Sequence, residues 1–103
     1  MQAPDADPLS INGKVFYVGK ETWSARIRNV KKTTAVNLNA LEHGTQSCTI
    51  EFHSVESEKA RRLTVSFSAQ RLKEDQNNKY RTFIYDRIGR WLATEGTEGA
   101  LGN

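Results

Sequence analysis

Cysteine is almost missing from this chain: Cys48 stands alone among 103 residues, so no internal disulfide can form and the fold must hold without one. Proline is scarce as well. Pro4 and Pro8 both fall in the first ten residues, which leaves the rest without its strongest interrupter of strands and helices. No apolar run approaches the roughly 20 residues of a membrane-spanning helix, so no membrane role is expected. Glycine-rich phosphate loops are missing too, because Gly13 and Gly19 bracket a strand and do not open a helix. The start, MQAPDADPLS, is acidic and poor in apolar residues, unlike a signal or transit peptide, and a cytoplasmic protein is expected. Charge of one sign is also modest. Fifteen Lys and Arg against twelve Asp and Glu give +3, too small a surplus to name a polyanion partner by itself. The placement of the cations must decide.

What is present is alternation. TWSARIR sets Trp23, Ala25 and Ile27 against Thr22, Ser24, Arg26 and Arg28, the period of a half-buried strand. SCTIEFHS sets Cys48, Ile50 and Phe52 against Thr49, Glu51 and His53. RRLTVSFSA sets Leu63, Val65, Phe67 and Ala69 against Thr64, Ser66 and Ser68. KVFYVG adds a strand before Gly19. A hairpin with Ser57 and Glu58 at its tip faces Ile50 with Val65, Phe52 with Leu63 and Cys48 with Phe67. A second, turning loosely at Lys31 and Lys32, faces Ile27 with Val36 and Ala25 with Leu38. Two stretches have a helical alternative, SVESEKARRL with Ser54 as cap, and AQRLKEDQNN. No internal repeat is visible.

The stretch KYRTFIYDRIGRWLATEG interleaves Lys79, Arg81, Arg87 and Arg90 with Tyr80, Phe83, Tyr85 and Trp91. Asp86 and Gly89 suit the first and fourth positions of a type I turn with a glycine bulge. That loop opposes Ile84 to Leu92 and Tyr85 to Trp91, so the aromatics read as core and the cations as cross-strand partners. YDRIGRWL resembles a unit of the tyrosine-aspartate (YD) repeats of large secreted shell proteins. The resemblance occurs once, where such arrays need many copies, and it implies hairpin chemistry only.

Catalytic chemistry finds little support. A Cys48 nucleophile needs a histidine close by in space, yet alternation sends His53 to the opposite face and leaves His43 in a loop. A buried Cys48 acting as a small hydrophobe is expected. Glu51 and His53 share a face but lack the further ligands of a metal site. The expectation is a protein with no enzyme activity, cofactor or metal.

The basic signal that survives is RIRNVKK. Arg26 and Arg28 project from the polar face of one strand, and Lys31 and Lys32 continue that edge with no acid between them. Phosphate contact is the natural use of such a row. Tyr80 and Phe83, or Tyr17, are the candidate base-stacking residues. The expected fold is mainly β: an antiparallel meander of about six or seven strands over 11–96, closed as a small barrel or sandwich, with at most one short helix. A flexible arm at 1–10 and a tail at 97–103 flank it. The expected partner is nucleic acid, RNA or DNA. The alternative is another protein (an adaptor, inhibitor or assembly subunit) or a second copy, met through an edge strand.

Overall fold

Alternating apolar residues become strands. In the computed structural model, which describes residues 7–33 and 45–102, the order is β1 (Val15–Val18), β2 (Glu21–Thr33), β3 (Thr45–Ser54), β4 (Ala60–Ser68), α1 (Ala69–Lys73), α2 (Lys79–Leu92) and β5 (Glu98–Leu101). The first four strands form an antiparallel meander in chain order. β5 adds to the outer edge of β4 in parallel, with the two helices in the crossover that a parallel pair needs. The protein is therefore mainly β, but as an open five-stranded mixed sheet with two helices. It is neither a barrel nor a sandwich of six or seven strands, and its second helix is fourteen residues long.

The difference turns on residues 79–92. Tyr80, Ile84, Ile88 and Leu92 recur every four residues and all are buried, which is the stripe of a helix lying on an apolar surface. The hairpin reading also paired Ile84 with Leu92, so one set of residues satisfied both periods. The helix wins because one sheet face is largely apolar and needs a cover. Trp23, Ala25, Ile27, Cys48, Ile50, Phe52, Leu63, Val65 and Phe67 all point to it, and α2 joins them in one core. A sheet covered this way has no need to close on itself. Asp75 starts the helix by accepting the Tyr80 and Arg81 N–H groups at 3.0 Å each, and Arg90 pairs with Asp86 one turn apart at 3.0 Å. Asp86–Gly89 is thus helix interior, and Tyr85 does not face Trp91: the Tyr85 hydroxyl donates to the Leu9 carbonyl, while Trp91 packs on Phe52 and Gly99.

AQRLKEDQNN takes its helical option as α1, one turn capped by the Ser68 hydroxyl, whereas SVESEKARRL becomes turn and strand. Lys31 and Lys32 are not a turn. β2 runs through them to Thr33, and Ile27 and Ala25 face Ile50 and Phe52 of β3. Val36 and Leu38, their expected partners, lie outside the described residues. The β3–β4 pair keeps its expected faces but slides two residues, so Ile50 meets Leu63, Cys48 meets Val65 and Phe52 meets Arg61.

That slide puts an arginine on the core face, and the chemistry explains why it is tolerated. Arg61 is buried, its guanidinium lies 4.1 Å from the Trp91 ring centroid and 5.6 Å from that of Trp23, and Nη1 donates to the Leu92 carbonyl at 2.8 Å. The cation thereby caps the negative end of α2 between two aromatic rings. Nearer the N-terminus, Leu9 and Ile11 are fully buried, and the Asp7 carboxylate accepts the Ile11 and Asn12 N–H groups. At the other end Leu101 of β5 packs against the core.

Candidate nucleic-acid interface

The helices cover one face of the sheet and leave the other open. Along β2 the open face begins with Thr22, Ser24 and Arg26, opposite the buried Trp23, Ala25 and Ile27. Simple alternation would next expose Arg28, Val30 and Lys32 and turn Lys31 inward. A bulge prevents this. Pairing with β3 skips from Ile27–Ile50 to Asn29–Thr49, so Arg28 is the extra residue. Val30 then returns to the core side opposite Cys48, and Lys31 returns to the open side opposite Ser47. RIRNVKK thus switches parity midway, and the switch keeps Arg26, Arg28 and Lys31 on one face. Lys32 pairs by backbone with Gln46.

Glu51 of β3 sits at the centre of this face. It is the Cα partner of Arg26, and its carboxylate lies 2.9 Å from His53 Nε2, 3.4 Å from Arg62 Nε and 4.0 Å from Arg28 Nε. The His53 hydrogen bond, helped by the neighbouring Arg28 charge and the Arg62 hydrogen bond, holds the Glu51 carboxyl below the usual range. The acid is only 16% exposed, whereas the side chains of Arg28 and Arg62 are more than half exposed. One recessed carboxylate therefore orients arginines whose outer surfaces remain in water. Arg26 and Lys31 are exposed and have no ion pair among the described residues. Around them the face is floored by Ser47, Thr49, Thr64 and Ser66, short hydroxyl side chains that do not obstruct a ligand.

The three candidate stacking aromatics separate. Tyr17 of β1 is 80% exposed and stands opposite Thr22, on the same face as the cations, because its neighbour Phe16 points into the core. Tyr80 is buried on α2 with its hydroxyl accepting the Ser68 N–H at 3.0 Å. Phe83 is half exposed but sits on α2, on the covered side of the sheet, stacked on Tyr80 with Arg87 over its ring. The structure thus places Tyr17 on the same sheet face as Arg26, Arg28 and Lys31, and sets Tyr80 and Phe83 apart from them. The three arginines of α2 have local partners: Arg81 reaches the Pro8 carbonyl and Asp75, Arg87 the Gly102 carbonyl, and Arg90 Asp86. Arg62 was visible in sequence only as half of an Arg-Arg pair diluted by acids. Knowing that Arg61 goes inward and Arg62 outward toward Glu51 required the register.

Cys48 is buried, and desolvation, with the Asp7 charge adding to it, pushes its thiol up to about 12. His53 lies on the opposite face. Among the described residues no group of three or more His, Cys, Asp or Glu side chains is arranged to hold a metal ion, and no helix is long and apolar enough to cross a membrane. No protein-family model, curated protein or solved structure matches the chain.

Proposed function

We propose that this protein is a non-catalytic nucleic-acid-binding domain whose binding surface is the open face of the sheet, centred on Arg26, Arg28 and Lys31 and extended by Arg62. The observation that carries this reading is the β2 bulge, which keeps three successive cations of RIRNVKK on one uncovered face, with the Glu51 carboxylate recessed beneath them. A row of guanidinium and ammonium groups on a polar sheet suits phosphates, and Arg offers them paired donors. Lys32 lies at the end of the same strand.

The test is binding to random single- and double-stranded oligonucleotides at two salt concentrations. Affinity is expected to fall with salt by a log–log slope of roughly 0.7–0.9 per phosphate neutralised. Replacing Arg26 and Arg28 together by Gln is expected to flatten that slope and weaken all sequences about equally, since phosphate contacts position a ligand without reading it. Unchanged affinity in a folded double variant would place the site elsewhere.

A second reading has its own observation. β1 pairs only with Glu21–Ser24 of the thirteen-residue β2, and past the Asn12 side chain, which accepts the Ile27 N–H at 2.7 Å, no described strand pairs with that edge. A partner strand, from another protein or a second copy, could extend the sheet there. That reading forecasts no oligonucleotide binding near physiological salt, and partner capture that tolerates the two glutamines. Under either reading the protein works in the cytoplasm.

A further inference from the structure

Resting on the nucleic-acid reading, we infer that the ligand is single-stranded, and that Tyr17 is the platform on which one of its bases stacks. The first argument is shape. Five strands at about 4.8 Å spacing make a face roughly 19 Å across before side chains are added. The major groove of a duplex is about 12 Å wide and admits a helix or a two-stranded ribbon, so this face cannot enter it. Against a duplex the sheet could touch only outer phosphates. A single strand can lie across the face and present phosphates and bases to it together.

The second argument is the layout of the chemistry. Cations and exposed apolar groups occupy adjacent strands of the same face, where random scatter would mix them. Arg26, Arg28 and Lys31 run along β2. Tyr17 and Val15, which are 80% and 40% exposed, stand beside it on β1 opposite Thr22 and Ser24. From Thr22 to Arg26 is four residues of extended chain, about 13 Å, within the reach of a site of ~4–16 nucleotides. A backbone following the β2 cations therefore carries a base at its end onto the Tyr17 ring. Tyr17 has no core role: it is the most exposed of the large apolar side chains in the described residues, and Phe16 fills the core position beside it. Between Arg26 and Tyr17 the open face carries Ser24 and Thr22, and the Glu56 carboxylate at that end is engaged by the Thr22 N–H and hydroxyl at 2.7 and 2.8 Å.

The test compares four probes of about 20 nucleotides at one ionic strength: single-stranded DNA, single-stranded RNA of the same sequence, the DNA duplex, and an abasic single strand. Each is titrated against the wild-type protein, Tyr17→Phe and Tyr17→Ala. The wild type should prefer the single strands with bases over both the duplex and the abasic strand by roughly five-fold or more, the yield of one stacked base. Tyr17→Phe should keep that preference. Tyr17→Ala should lose it while leaving affinity for the abasic strand and its salt dependence unchanged. The two based single strands separate RNA from DNA as the source, and a preference for either over duplex supports the inference. Equal or tighter duplex binding, or based strands held equally by Tyr17→Ala and wild type, overturns it and leaves the basic-face reading standing. No binding to any probe overturns both.

Discussion

Glu51 is the residue on which the open face depends, and it acts against the sign of the surface it organises. Its carboxylate aligns Arg28, Arg62 and His53 while offsetting part of their charge. Glu51→Gln is expected to tighten oligonucleotide binding by roughly two- to five-fold at low salt, and the gain should vanish at high salt as screening removes it. Weaker binding at low salt would mean that alignment of the arginines matters more than their net charge. The same group gives the face an acid limit. Its carboxyl is depressed in the folded protein, so the stabilisation is complete above the ordinary glutamate range near ~4.3 and is lost as pH falls through the lower folded value. The difference in melting temperature between wild type and Glu51→Gln should therefore shrink from pH 7 to pH 3. Cys48 carries the opposite sign. Its thiol is raised by burial, so its neutral form favours the fold below the ordinary thiol range, and that contribution fades as pH rises from about 9 toward 12. At neutral pH the native protein should resist thiol reagents. Labelling at the rate of a free peptide would contradict the packing of β3.

Among the elements, strands were legible in sequence and the long helix was not. The two-residue periods of TWSARIR, SCTIEFHS and RRLTVSFS identify β2, β3 and β4 with the correct inward faces. Matching apolar residues across β3 and β4 could not fix their register, because a two-residue slide preserves every face. Only the burial of Arg61 at the end of α2 makes the observed register sensible, and a buried arginine has no signature in a hydrophobic pattern. In α2 the four-residue spacing of Tyr80, Ile84, Ile88 and Leu92 was available. It was masked by Asp86 and Gly89, which are turn-formers in isolation and helix interior here. Gly89 therefore makes a prediction opposite to that of a bulge glycine. A Cβ there would meet nothing within 4 Å and the backbone is not left-handed, so Gly89→Ala should stabilise the protein by about 1 kcal/mol in chemical denaturation. A loss of stability would argue for the hairpin. Ile88→Ala, at a fully buried position of the same helix, should cost about 2–5 kcal/mol.

At the scale of the whole molecule, division of labour between the two sheet faces is what links fold to function. One face is largely apolar, with Arg61 as its buried cation, and is closed by α2. The other is built of hydroxyl side chains, a basic row and one exposed tyrosine, and no described element covers it. The candidate basic residues could be read from sequence, because Arg26, Arg28 and Lys31 cluster without acids. Their assembly could not, since it depends on a bulge that moves Lys31 to the face of Arg26 and on strand pairing that brings Glu51 and Arg62 to them from β3 and β4. Amide chemical-shift mapping during titration with a single-stranded oligonucleotide tests this two-faced account most directly. The shifts are predicted to fall on Tyr17, Arg26, Arg28, Lys31, Glu51 and Arg62, with Phe83, Arg87 and Arg90 of α2 unmoved. Shifts confined to α2, or none at all at low salt, would contradict it.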